Sequence, residues 1–236
     1  MGFEEFDMGN DNKYTSKNMR YKGREGETDR LSFVWFEGTV DGSPDLETAP
    51  KFIGAQRLYH PEVGYVIDDG PEFNKISVAT GGRPSKLAVA TVVVQWPTDR
   101  NGQIEKSRLS KGDFSVLPWI FSKDKYQSLK KTHSKFHFGA HDISVDCSDG
   151  QYQKMTFTPE RDNLLSLFLK KNPEMAEKVL AQTQEVINGI RRSIAQELTL
   201  DEFKERLGRG ESKPDSFEGM NVSESDITDV MDDILG

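Results

Sequence analysis

Hydrophobic positions along the chain follow two different periods, and the change falls near Pro159. Before it, apolar residues come in short blocks of β-branched, aromatic and aliphatic side chains separated by Gly, Pro and Asp, which predicts strands and turns. Leu31-Ser-Phe-Val-Trp-Phe36 is the first block, bounded by Gly38 and by the turn-rich Asp41-Gly-Ser-Pro44. The segment Lys51–Ile67 carries scattered β-type residues broken by Gly54, Pro61 and Gly64 and predicts short strands or a bulged hairpin. Asp68-Asp-Gly-Pro71 reads as a loop, Lys75–Thr80 as one more short strand, and Gly81-Gly-Arg-Pro84 as a basic loop. Leu87–Trp96, closed by Pro97, is too short to cross a bilayer and predicts a buried strand. A turn at Asp99–Gly102, a polar ribbon over Gln103–Arg108 and a strand over Phe114–Phe121 follow. The lysine-rich stretch Lys123–His141 begins with a predicted helix, Ser122 to Lys131. Ile143–Cys147 and Gln151–Thr158 then pair through Ser148-Asp149-Gly150, Asp-Gly being a strong hairpin signal.

Beyond this point the apolar period lengthens to three and four. Thr158 as a cap and Pro159 at the first position predict a helix start, with Leu164, Leu165, Phe168 and Leu169 on its apolar face. Asn172-Pro173 starts a second helix, along which Val179, Leu180, Val186, Ile187, Ile190, Ile194 and Leu198 recur. Thr199-Leu-Asp-Glu202 is a capping box for a last short helix ending near Gly208. From Arg209 the periodic core gives way to Gly, Ser, Pro and acids. The chain closes with Ile227, Val230, Met231, Ile234 and Leu235 set at threes and fours among Asp226, Asp229, Asp232 and Asp233, a spacing that a merely solvating tail has no reason to keep.

The expected class is therefore α+β: mainly β, with a small curled antiparallel β-barrel followed by C-terminal helices. The expected units are a flexible basic N-terminal arm over 1–30, a β-domain over 31–158, a helical extension over 159–208 and a disordered acidic tail over 209–236.

Charge sharpens that division. The 236 residues carry a net charge of −8, which at first argues against a polyanionic partner. Residues 1–11 hold four acids and no Lys or Arg, and residues 211–236 hold eight acids against Lys213 alone. The residues between them carry 30 basic and 27 acidic side chains, so the body is mildly basic between two acidic ends. Within the arm, Lys13, Tyr14, Lys17, Arg20, Tyr21, Lys22, Arg24 and Arg30 interleave cations with tyrosines, a pattern suited to phosphates or to a neighbouring protomer. The single cysteine, Cys147, excludes an internal disulfide and a multi-cysteine zinc site, and its alternation with Ile143 and Val145 predicts a buried structural thiol. No signal peptide and no membrane span is expected, which places the protein in the cytoplasm.

The stretch 87–159 mixes basic and aromatic residues, and a single nucleic-acid strand offers phosphates to the first and flat bases to the second. The candidate strand-binding residues are Trp96, Arg100, Lys106, Arg108, Lys111, Trp119, Phe121, Lys123, Lys125, Tyr126, Lys130, Lys131, Lys135, Tyr152 and Lys154. About half of the aromatic residues in this stretch are expected to point inward. His133, His137 and His141 lie four apart, but Phe136-His-Phe-Gly139 breaks the helical pattern and no glutamate follows His133, so neither a metal site nor a metal-dependent hydrolase is expected. No nucleophile stands at a recognisable spacing from a base. The reading is non-enzymatic, with no cofactor.

The Val92-Val-Val-Gln-Trp-Pro-Thr-Asp-Arg-Asn-Gly102 ribbon, the Ser122–Lys131 helix between strands, the closing Val145–Pro159 hairpin and the acidic tail with hydrophobic residues at its end resemble single-stranded DNA-binding (helix-destabilising) proteins of tailed bacteriophages. The resemblance covers residues 31–160 by layout and 211–236 by tail chemistry. It implies an OB-like barrel, named for its oligonucleotide/oligosaccharide-binding fold, and coating of single strands without strong sequence preference in phage replication, recombination or repair. It also implies an acidic tail for partner recruitment or autoinhibition, with Asp229, Asp232, Asp233, Ile234 and Leu235 as its contact residues, and self-association on DNA as an open option. The implied setting is the cytoplasm of an infected host cell. The family's zinc-binding members use cysteines absent here, so no metal is carried over. The alternative, from another class, is a non-enzymatic replication or transcription cofactor whose β-domain holds a protein partner.

Overall fold

The computed structural model describes residues 20–149 and 154–208. The acidic tail, most of the N-terminal arm, the tip of the last hairpin with Tyr152, and all five tail contact residues lie outside the described residues.

Among the described residues nine strands form, in chain order: β1 (Thr28–Phe33), β2 (Thr39–Val40), β3 (Ser43–Pro44), β4 (Ile53–His60), β5 (Gly64–Ile67), β6 (Lys86–Gln95), β7 (Ser115–Ser122), β8 (Ile143–Cys147) and β9 (Met155–Pro159). The helices are α1 (Pro71–Ala79), the single turn α2 (Lys106–Leu109), α3 (Lys123–His133), α4 (Leu164–Lys171), α5 (Pro173–Ile194) and α6 (Leu200–Gly208). Seven strands make one antiparallel sheet in the order β5-β4-β6-β1-β8-β9, with β7 on the other edge of β6; β2 and β3 form a separate two-stranded ribbon. The class is α+β, a mainly antiparallel sheet with C-terminal helices.

β6 is the strand on which the rest is registered. One of its edges runs along β7 from Ala88↔Ser122 to Gln95↔Ser115, while the other is shared by β4 near Lys86–Ala90 and by β1 near Val93–Gln95. Both of its faces are covered, which is why its sequence is a continuous apolar run and not an alternation. Val89 and Val93 face one core with Leu31, Phe33, Leu117, Trp119, Phe121, Leu129, Phe138, Ile143 and Val145. Ala88, Ala90, Val92 and Val94 face a second core built with Leu165, Val179, Ile190 and Ile194 of α4 and α5. A third, smaller cluster joins the β4–β5 hairpin to α1 and α6 through Leu58, Val63, Val66, Phe73 and Phe203. The outer edge of β5 is occupied by Gln196, whose N–H donates to Tyr65 O and whose carbonyl accepts from Ile67 N, so this edge is not left open for pairing.

The sheet curls but does not close: among the described residues no pairing joins its edge strands β7 and β9. Trp119 of β7 and Phe157 of β9 still approach across the gap, ring centroids 5.8 Å apart. Residues 20–26 lie against it, Tyr21 N donating to Pro118 O of β7 and Gly26 N to Cys147 O of β8.

Several expectations are corrected. Lys75–Thr80 is not a strand but most of α1, because Pro71 at its first turn favours a helix and Phe73, four before the buried Ser77, packs beside Phe203. The polar ribbon Gln103–Arg108 runs into the helical turn α2, which starts at Lys106. Pro159 does not begin a helix; it ends β9 opposite Ile143, and α4 starts five residues later with Asn163 as its cap, accepting from Ser166 N at 2.8 Å. Order does not begin at Leu31: β1 starts at Thr28 and Tyr21 is already buried, so the described end of the arm expected to be flexible is packed into the fold. The expected second helix start at Asn172-Pro173 and the capping box are as read, Glu202 accepting from Thr199 N and its own N–H donating to Thr199 Oγ1.

Candidate nucleic-acid interface

The residues Arg20-Tyr-Lys-Gly-Arg24 form an extended segment whose side chains alternate. Tyr21 and Gly23 face inward, where a side chain on Gly23 would meet Cys147 and Met155, while Lys22 and Arg24 are exposed and Arg20 is half-buried. Alternate positions of an extended chain share one face, so three cations stand in a row. That row is one wall of a groove of about 420 Å³ at the rim of the curled sheet. It is also lined by Gln95–Thr98 at the end of β6, by Arg108 of α2 and by Asp113, Phe114 and Ser115 leading into β7.

A buried carboxylate holds the row in place. Asp29, 1% exposed, accepts from Tyr21 Oη at 3.0 Å and from Gln95 Nε2 at 2.7 Å, and Arg24 Nη2 stands 4.0 Å away. Burial pushes its carboxyl above the usual range, while the two hydrogen bonds and Arg24 pull the other way. The Tyr21 hydroxyl is pushed far up by burial and then by that neighbouring carboxylate, and stays protonated as the donor. The groove's arginines also have carboxylate partners: Arg24 with Glu27 at 2.8 Å, and Arg108 with Glu105 at 2.8 Å and Asp113 at 2.6 Å.

A second buried network begins at Trp96, which also lines the groove. Trp96 Nε1 donates to Ser32 Oγ at 2.7 Å, and Ser32 Oγ donates in turn to Asp142 Oδ1. Asp142, fully buried, also accepts from Arg30 Nε at 2.9 Å and from Leu164 N at 3.2 Å, and Arg30 pairs further with Asp162. Burial pushes the Asp142 carboxyl up to about 6 against the pull of Arg30 and these donors. The network ties β1, the end of β6, the entry to β8 and the start of α4 together.

The structure divides the sequence-derived candidates. Trp96, Trp119 and Phe121 are 1%, 2% and 5% exposed, so three of the five candidate rings are core residues. Trp96 packs against Phe114 and Phe168, and Trp119 against Tyr21, Phe121 and Phe157. Tyr126 is half-buried with its ring edge-on to Phe52 at 5.1 Å. Of the cations, Arg108 lines the groove; Lys106 and Lys111 are exposed beside it on α2 and the turn that follows, and Arg100 is exposed on the loop after β6. Lys123, Lys130 and Lys131 share the exposed face of α3, Lys125 lies half-buried on the same helix, Lys135 follows it, and Lys154 immediately precedes β9. α3 leaves from the opposite end of β7, so these lysines form a second basic area and not a wall of the groove. Arg20, Lys22 and Arg24 were visible in the sequence only as part of a basic arm; their alternation with Tyr21 and Gly23 was the signal for one exposed face.

The histidines take structural roles. His133 Nδ1 accepts from Phe138 N at 3.2 Å, His137 Nδ1 from Gly139 N at 3.3 Å, and His141 Nδ1 lies 2.8 Å from Glu160 O. Burial, with the nearby His137, lowers the His133 pKa. Among the described residues, no three His, Cys, Asp or Glu side chains are placed to hold a metal ion, and no helix is long and apolar enough to cross a membrane. Comparison with protein-family models, with curated proteins and with solved structures finds no match for this chain.

Proposed function

We propose that this chain binds single-stranded DNA, without strong sequence preference and without catalysis, through the basic groove at the rim of an OB-type barrel. The observation that carries the reading is that Arg20, Lys22, Arg24 and Arg108 all line one groove. A line of cations suits a phosphate backbone and carries no base-edge code. Connectivity supports the barrel: β7-β6-β1-β8-β9 with a helix between β7 and β8 is the arrangement of a five-stranded, partly open OB barrel with only the β7–β9 closure missing. The outer face of β6 and β7, which such barrels commonly offer to oligonucleotides, lies under α4 and α5, and this shifts the route to the rim. The α3 lysines offer a second, separate positive area at the other end of β7.

The setting that goes with this reading is the coating of single strands in replication, recombination or repair inside a phage-infected host cell. The acidic C-terminal residues then recruit partner proteins or compete for the groove. A second reading has one observation in its favour: with Trp96, Trp119 and Phe121 buried and Arg24 and Arg108 already matched to carboxylates, a surface of mixed charge also suits a protein partner.

Fluorescence anisotropy of a labelled ~30-nucleotide single strand separates the two. Single-strand binding is expected to weaken as salt rises, by about 0.7 in the log–log slope per phosphate contact, and to exceed binding of the matching duplex. An absence of oligonucleotide binding at low salt would leave the protein-partner reading.

A further inference from the structure

Backbone contacts alone do not distinguish a single strand from any other polyanion, and of the candidate rings Trp96, Trp119 and Phe121 are in the core while Tyr126 lies on α3, away from the groove. The groove contains one ring that is not in the core. Phe114 is half-buried in its wall, presented by a turn in which Gly112 adopts φ +76°, a left-handed conformation suited to glycine. Gly112 N donates to Leu109 O at 2.9 Å and Asp113 N to Arg108 O at 3.1 Å, so the backbone that delivers Phe114 is tied to α2. The ring is backed by Trp96 at 5.9 Å, and Trp96 by Phe168 at 5.3 Å and by its hydrogen bond to Ser32. It is a supported platform. In the same groove, the alternate cations of the extended segment stand about 6.6 Å apart, a spacing on the scale of one nucleotide of extended strand.

We propose that Phe114 is the ring on which a base of the bound single strand stacks, while the adjoining phosphates lie along Arg20, Lys22 and Arg24. This rests on the single-strand reading and adds to it the residue that makes the groove selective for nucleic acid over other polyanions. Arg108, beside Phe114, exchanges its Glu105 and Asp113 partners for phosphate as the base docks.

The test compares a labelled thymidine oligonucleotide with an abasic strand of equal length and charge. The wild-type chain is expected to bind the base-bearing strand about tenfold more tightly. Phe114→Leu, which keeps an apolar contact on Trp96, is expected to lose that preference while retaining the abasic affinity, the salt slope and the Tm. A preference that survives in Phe114→Leu, or equal affinity of the wild type for both strands, overturns the assignment with the single-strand reading intact. No binding of either strand overturns both. A second measurement stands apart from the stability of that variant: wild-type tryptophan emission is expected to change with the base-bearing strand and not with the abasic one, and Trp96→Phe is expected to remove the change. A change that persists in Trp96→Phe places the base elsewhere.

Discussion

Trp119 shares its surroundings with Tyr21, Phe33, Phe121 and Phe157, and its ring faces are spent on protein contacts. Removing such a ring leaves a cavity that costs about 3–5 kcal/mol. Trp119→Ala is therefore expected to lower the Tm steeply in thermal unfolding, and to bind DNA normally at temperatures where it remains folded; an unchanged Tm with lost binding would restore Trp119 to the interface. Asp142 makes a different demand. Its carboxyl is raised to about 6 by burial, above an unfolded value of about 4, so the folded state takes up the proton more readily. Its contribution is full below the unfolded pKa and is lost as pH rises through 6, a difference on the order of 3 kcal/mol. His133, with a lowered pKa, acts in the opposite sense, losing stability as pH falls, so the net stability curve mixes the two. A carboxyl-carbon NMR titration isolates Asp142: a midpoint near 6 is expected, and one at or below 4 would contradict the burial account.

At the scale of elements, sequence patterns were legible where a local signal coincided with tertiary demand. The doubly buried β6, the hairpin β8–β9, the helix α3 and the caps at Asn172 and Thr199 all announce themselves within a few residues. Where an element is decided by distant packing, the local signal misled. Lys75–Thr80 is β-prone in isolation, but Pro71 and the docking of Phe73 on Phe203, 130 positions away, make it helical. Pro159 looks like a helix start, yet Glu160 and Asp162 bond the backbone of the buried Asp142, so α4 waits for Asn163. The candidate site follows the same rule. The lysine face of α3 and Arg108 were legible as charge on local structure. That the apolar order of Trp96, Trp119 and Phe121 means burial, and that Arg20, Lys22 and Arg24 line one groove, depends on the segment 20–26 meeting β7 and β8 roughly a hundred residues downstream.

For the whole molecule, the curled sheet separates two basic areas, the rim groove beside the start of β7 and the α3 face beyond its end, on a body whose charge is opposite to that of the chain's two ends. A chain of net charge −8 can hold a polyanion only if its cations are gathered, and the rim is where four of them meet. The central claim is that this gathering binds the backbone of a single strand. The most direct measurement compares wild type with the triple variant Arg20→Gln, Lys22→Gln, Arg24→Gln in anisotropy titrations of one single strand across a series of salt concentrations. With Tm unchanged, the variant is expected to bind more weakly at low salt, and the magnitude of its log–log salt slope to fall by about 2, one increment of about 0.7 for each lost phosphate contact. Equal affinity and equal slope in the two proteins would contradict the account.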